Sequence, residues 1–156
     1  MKANIGIKEE DLKEVAQILN TVLADEYVLY TKTRNYHWNI TGDNFIELHK
    51  LYQQQYEELE EIIDEVAERT RYLGHYSEGR LKDFLQLTHL DEPEYTSDQQ
   101  VQIRNLLQDH ESVIKYIRGT IPKIQDEHND AGTADFITGV MEQHEKIAWF
   151  LRSYIK

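Results

Sequence analysis

The stretch YHWNITGDNFIELHKLY, residues 36–52, combines a chain reversal with two histidines. Residues 39–42 form a short polar break, and apolar residues at helical spacing precede and follow it. The pattern predicts two helices joined by a turn, with His37 at the end of the first and His49 near the start of the second. Two imidazoles placed in this way could be the nitrogen half of a metal site.

Apolar residues recur with the helical period in four long segments of the chain. The interval between the second and third segments, residues 75–95, is too long for a tight turn, and LKDFLQL (Leu81–Leu87) within it has the pattern of a short helix. A long crossover at this place is a feature of ferritin-like bundles. The predicted fold class is therefore all-α: a ferritin-like four-helix bundle with a short extra helix in the crossover between helices two and three, in a single domain over residues 1–156.

Residues that favour helix ends or turns separate the four segments. Each lies where the apolar period is interrupted, so two signals agree on the boundaries. They are the capping pairs Asn44 with Glu47 and Thr96 with Gln99, the helix-ending Gly74, the pair Gly119 and Pro122 that should kink or shorten the third helix, and residues 129–132 before the fourth.

Composition excludes several classes of function. The chain of 156 residues is 40% hydrophobic, which is enough for a folded core, and it has no cysteine. Disulfides, thiolate metal sites and cysteine nucleophiles are therefore excluded. No apolar run approaches the roughly 18 residues that span a bilayer, and the N-terminus lacks an apolar signal-peptide core, so we expect a cytoplasmic protein.

The formal net charge of -12 argues against a nucleic-acid-binding surface, because such surfaces depend on clustered lysine and arginine. The first eight residues offer only Lys2 and Lys8, and Lys156 stands alone at the C-terminus. Acidic surfaces serve solubility in many proteins, and the functional alternative is attraction of cations.

The histidines do not follow the usual di-iron pattern. Ferritin-like bundles commonly use Glu-x-x-His pairs that project into the core, and none of the seven histidines here has a glutamate three residues before it. His110 and His144 lie on apolar stripes and are predicted to be core or interface histidines. His75, His89 and His128 lie in or near loops and show no pattern.

The second predicted helix offers another arrangement of ligands. At about 100° per residue, four side chains share one face, at about 0°, 40°, 60° and 100°; they are His49, Gln53, Asp64 and Glu68. An ordinary solvated face of a glutamate-rich helix is the alternative. Asp64 lies roughly 22 Å along the helix from His49, so the acids and the histidines cannot bind the same ion within one chain. If they cooperate, a second subunit must run antiparallel about a two-fold axis.

Mixed imidazole and carboxylate ligands suit Fe(II), Zn(II) or Mn(II), and a site without thiolates fits redox-active iron. Several stretches together then resemble the Dps proteins, the mini-ferritins named for DNA binding in starved cells. The resemblance begins with KTRNYHWNITGDNFIELH (32–49), in which a His-Trp pair precedes the second histidine. It continues with IDEVAER (63–69), LG (73–74), DAGTAD (130–135) and AWFL (148–151), and so covers nearly the whole chain.

The resemblance implies a homododecameric shell that oxidises Fe(II), preferentially with hydrogen peroxide, and stores the ferric mineral in its cavity. Iron, as Fe2+/Fe3+, is the implied cofactor and substrate, and protection from oxidative stress is the implied role. Carried over by position, the catalytic and metal-binding residues are His37 and His49 of one subunit with Asp64 and Glu68 of its two-fold partner. This division agrees with the helix geometry above.

Some positions depart from the family pattern or are carried over only as expectations. Family members commonly have Asp or Glu four residues after the second histidine, and this chain has Gln53, whose neutral amide oxygen should weaken one iron position. Trp38 and Trp149 resemble tryptophans near the centre, which pack or intercept oxidising equivalents. Other acidic residues could line three-fold pores (Asp126, Asp130 and Asp135) or face either the cavity or solvent (Glu57, Glu58, Glu60 and Glu61).

A competing function is that of a DNA-compacting nucleoid protein with weak or no ferroxidase activity. Family members that bind DNA often use a terminal tail rich in lysine and arginine, which this sequence does not show. We therefore expect no direct DNA binding unless divalent cations bridge the two negative surfaces.

Overall fold

The computed structural model describes residues 3–155, so Lys2 and Lys156 lie outside the described residues. Its helices are α1 (Glu9–Asn39), α2 (Phe45–Tyr72), α3 (Leu81–Leu87), α4 (Gln99–Pro122) and α5 (Ala131–Arg152), with a π-helical turn (Lys123–Glu127) after α4. No strand occurs within residues 3–155. The all-α prediction of four long helices and one short crossover helix is confirmed. None of these helices combines the length and apolar character needed to cross a bilayer.

The bundle consists of two hairpins packed against each other. α1 packs on α2, α4 packs on α5, and α3 lies against α1. The apolar stripes predicted from the sequence meet in one core, because each helix turns its periodic face inward. The largest fully buried side chains include Tyr36, Tyr52, Leu19, Leu48, Leu59, Ile103, Leu106 and Ile117.

Helix ends follow the predicted breaks with two corrections. Gly74 has φ 83° and follows the end of α2, and α4 stops at Pro122, both as predicted. Asn44 precedes α2 but makes no side-chain capping bond, so its pairing with Glu47 is wrong. α4 is capped by Asp98, whose carboxylate accepts from the Val101 amide at 2.8 Å, because a carboxylate near the first turn satisfies free N–H groups. The predicted start at Thr96 is therefore wrong by two residues.

Buried polar contacts hold the long crossover on the bundle. Lys32 of α1 donates to the Asp91 carbonyl and to Asp109 of α4, each at 2.5 Å. Asp25 of α1 accepts from the Thr88 hydroxyl and the His89 amide, each at 2.7 Å. Because Lys32 and Asp25 are themselves buried, their contacts with residues 88–91 fix the path of the chain between α3 and α4.

A hydrogen-bonded row of three side chains crosses the centre of the bundle. His144 Nε2 lies 2.7 Å from a Glu26 carboxylate oxygen, and His144 Nδ1 lies 2.8 Å from His110 Nδ1. All three residues are fully buried. The prediction that His110 and His144 are core histidines is confirmed. Glu26, which lies on a different helix from both, could not be assigned to them from spacing.

Candidate metal centre

His37 and His49 form a stacked pair where α1 ends and α2 begins. Their ring centroids are 3.8 Å apart, with an angle of 18° between the planes. His37 Nδ1 lies 2.7 Å from the main-chain oxygen of His49, and His49 Nδ1 lies 2.9 Å from the main-chain oxygen of His37. The predicted meeting of the two histidines across the turn is confirmed.

These contacts determine the tautomer of both rings. A carbonyl oxygen only accepts hydrogen bonds, so each Nδ1 carries a proton and donates it. In the neutral ring this leaves Nε2 with a free lone pair, which is the form that binds metal ions. Metal-binding histidines commonly donate their other ring N–H to a backbone carbonyl or a carboxylate, as both rings do here. The pair is thus arranged to offer two nitrogen ligands.

Aromatic side chains restrict the movement of the pair. Phe45 stacks on His49 with ring centroids 5.1 Å apart, and Tyr56 meets His37 edge-on at 5.3 Å. The Arg34 guanidinium lies 4.7 Å from the centre of the Tyr56 ring, a cation–π contact. His37 is only 8% exposed, whereas His49 is partly exposed. The imidazoles therefore remain near the surface with little freedom to turn.

The two predicted acids lie farther along α2 and face solvent. Asp64 and Glu68 are both exposed, and Glu68 accepts a hydrogen bond from the Tyr72 hydroxyl at 3.1 Å. That hydrogen bond raises the pKa of the Tyr72 hydroxyl. Within residues 3–155, no group of three or more His, Cys, Asp or Glu side chains is arranged to hold a metal ion. One chain brings the two histidines together and leaves the acids apart from them.

Comparison with known proteins extends over nearly the full chain. The family model of the ferritin-like domain matches residues 16–156. A low temperature-induced protein of Nostoc sp. is 46% identical over 99% of this chain and 87% of its own length. The DNA protection during starvation protein of Porphyromonas gingivalis is 33% identical over 96% of this chain and 93% of its own length.

Solved structures also match the chain over nearly its full length. The Dps protein of Vibrio cholerae, described as a member of a broad superfamily of ferritin-like diiron-carboxylate proteins, matches with a TM-score of 0.93 and 28% identity, over 99% of this chain and 97% of that one. DpsC of Streptomyces coelicolor matches with a TM-score of 0.94 and 28% identity, over 99% and 90% of the two chains. The chain belongs to the Dps family.

Gln53 marks the departure from the Dps pattern and is exposed on α2. Its Nε2 donates to a Glu57 carboxylate oxygen at 2.9 Å. From the sequence, Glu57 was predicted only as one of a run of acids. Its contact with Gln53 could have been predicted, because residues four apart are neighbours on a helix. Tyr56 contacts His37 of α1, so its place at the site could not be predicted from spacing along α2.

The acids expected at Dps pores are not equivalent. Asp126 and Asp135 are exposed. Asp130 is 3% exposed, and its carboxylate accepts from the Thr133 amide and hydroxyl, at 2.9 and 2.6 Å, with Arg69 at 3.6 Å. The structure does not support Asp130 as a pore-lining acid, because this carboxylate caps α5 and is already paired.

Packing within the chain was one expected role of the two tryptophans, but both side chains are largely exposed. Trp38 is 64% exposed and Trp149 is 61% exposed. Trp38 follows His37 directly and lies 5.4 Å from the Arg34 guanidinium. Large exposed aromatic side chains are typical of surfaces that meet another protein.

Proposed function

We propose that this protein is a ferroxidase and iron-storage protein, which binds Fe(II) at sites shared between subunits, oxidises it with hydrogen peroxide and stores the ferric product inside a dodecameric shell. The observation that carries the proposal is the His37–His49 pair, in which both Nδ1 atoms are bound to carbonyls and neither Nε2 atom has a hydrogen bond within residues 3–155. Membership of the Dps family and the diiron-carboxylate relationship of the Vibrio cholerae structure support iron as the metal.

The remaining ligands in this proposal are Asp64 and Glu68 of a second subunit. Carboxylates prefer hard cations and can bridge two irons, while neutral imidazoles position them. Both acids of α2 are exposed and therefore accessible to a partner. A two-fold axis between antiparallel α2 helices would form two equivalent sites.

Exposed apolar side chains support assembly. Leu81 and Leu85 of α3 are 70% and 58% exposed, and Trp38 lies exposed beside the histidine pair. Apolar surfaces of this kind usually meet another protein surface. We propose that they are covered when the dodecamer forms.

The chemistry requires two electrons for each peroxide. Two Fe(II) ions supply them, and hydrogen peroxide with two protons becomes two waters, leaving two Fe(III). Paired oxidation avoids the one-electron reduction of peroxide, which releases hydroxyl radical. Protection against oxidative stress follows because the reaction removes Fe(II) and hydrogen peroxide together. The cytoplasmic location expected from the sequence remains a prediction.

The relatives named for DNA protection during starvation keep DNA compaction as a second candidate. The net charge of -12 opposes it, because phosphate binding depends on positive charge. Iron chemistry therefore ranks first.

The experiment that tests the proposal mixes two inactive variants. His37→Ala and Asp64→Ala should each impair ferric absorbance after anaerobic Fe(II) loading and peroxide addition. Shells reassembled from both variants should regain part of the activity, because some interfaces then pair an intact histidine site with intact acids. Properly mixed shells with no recovery would contradict a shared site.

A further inference from the structure

The amide of Gln53 has a defined orientation on the surface of α2. Its Nε2 donates to a Glu57 carboxylate oxygen at 2.9 Å. An ionised carboxylate only accepts hydrogen bonds, so the NH2 end must face Glu57 and the carbonyl end must face away. Within residues 3–155, no group donates a hydrogen bond to the Gln53 carbonyl oxygen. That oxygen is available as a ligand.

The direction of this oxygen follows from helix geometry. Side chains of an α-helix lean toward its N-terminus, so Glu57 leans toward Gln53 and Gln53 leans toward His49. The three residues are spaced four apart and fall at about 0°, 40° and 80° around α2. A cation bound at His49 Nε2 would therefore lie on the side of Gln53 opposite to Glu57.

We propose that Glu57 is a positioning residue, which turns the Gln53 amide so that its oxygen, rather than its NH2 group, faces Fe(II) at the histidine pair. The inference rests on the proposed function. A carbonyl oxygen attracts a divalent cation, whereas an NH2 group carries partial positive charge and repels it. Because the amide oxygen is neutral, its orientation matters more here than it would for a carboxylate, whose two oxygens are equivalent.

The chain contains a matched control for this interaction. Gln54 Nε2 donates to a Glu58 carboxylate oxygen at 2.9 Å, with the same spacing and the same distance. This pair lies about 100° further around α2 and does not share the face of His49. Glu58→Ala therefore removes one carboxylate charge and one hydrogen bond of the same kind without affecting Gln53.

The test is an anaerobic Fe(II) titration of assembled shells by calorimetry, with assembly checked by size exclusion. Glu57→Ala, which removes the acceptor, should weaken Fe(II) binding about tenfold relative to Glu58→Ala, at the lower end of the effect of outer hydrogen-bond partners of metal ligands. In a Gln53→Glu background the two substitutions should give equal affinities, because a carboxylate needs no orienting partner.

Each other outcome overturns the inference in a distinct way. Equal affinity of Glu57→Ala and Glu58→Ala in the natural background removes the positioning role and leaves the proposed function intact. A tenfold loss that persists in the Gln53→Glu background identifies Glu57 as acting directly through its charge. Fe(II) binding that His37→Ala does not weaken overturns the proposed function itself, together with this inference.

Discussion

His37 and His49 each donate Nδ1–H to the main-chain oxygen of the other, over 2.7 and 2.9 Å. The two side chains that we propose as nitrogen ligands therefore also connect the end of α1 to the start of α2. If the histidines bind metal as proposed, stability and metal binding are coupled there. Within residues 3–155, the exposed acids Asp64 and Glu68 make no comparable hydrogen bond to another helix.

This coupling predicts that His37→Ala lowers both stability and iron affinity. Loss of the ring leaves a partly buried carbonyl without its donor, which costs about 1–3 kcal/mol. Asp64→Ala is the matched comparison: it should lower iron affinity while the free energy of unfolding changes by less than about 0.5 kcal/mol. Urea unfolding without metal, at fixed subunit concentration, measures the stability of both variants. Anaerobic Fe(II) titration measures their iron affinity. Equal stabilities of the two variants would contradict a structural role for the histidine pair.

The buried row Glu26–His144–His110 predicts a non-additive pair of substitutions. His144→Leu leaves the Glu26 carboxylate buried without its partner, which should cost about 3–5 kcal/mol. Adding Glu26→Leu removes the uncompensated charge and should recover much of that loss. Denaturant unfolding of the single and double variants tests the prediction. Losses that simply add would mean that Glu26 is not held by His144.

The helices and the histidine pair could be predicted from the sequence because both depend on residues that lie close together in the chain. Apolar residues at helical spacing determine α1 to α5, and a short turn brings His37 to His49. The capping of α4 was misplaced by two residues because Thr96 and Asp98 both have capping side chains, and only the folded geometry selects the aspartate.

Contacts between distant parts of the chain could not be predicted. Glu26 and His144 are 118 residues apart, and nothing in the spacing of either points to the other. The resemblance gives Asp130 as a residue that could line a pore, whereas in the fold it is buried and lies 3.6 Å from Arg69 of α2. The metal site and its acids remain a prediction, because Asp64 and Glu68 would meet the histidines only across an interface between chains.

His110 predicts a pH dependence of stability. Burial, with the neighbouring His144, lowers the pKa of His110 well below its ordinary value of 6.5. The groups that face it through the row are His144 and, beyond it, Glu26. The unfolded chain therefore binds a proton that the folded protein excludes, and stability should fall as the pH drops below about 6.5.

His110→Asn should flatten this dependence. The amide can still donate to His144 but does not titrate, so the slope should decrease by up to about 1.4 kcal/mol per pH unit, the value for one proton. Denaturant unfolding between about pH 5 and pH 7.5 measures both slopes. A variant whose slope matches that of the natural protein would show that another group is responsible.

The excess of acidic side chains predicts that the protein does not bind DNA directly. With 29 acidic and 17 basic side chains, the chain presents excess negative charge, and phosphate repels it at distances within a Debye length of about 8 Å at physiological salt. In a gel-shift assay at moderate salt, linear DNA should migrate freely with the assembled protein present and a chelator added. Millimolar Mg2+ can produce retention only by bridging the two surfaces, and such retention should disappear on chelation. Retention that survives the chelator would favour DNA compaction as a function and would require a positive surface that forms on assembly.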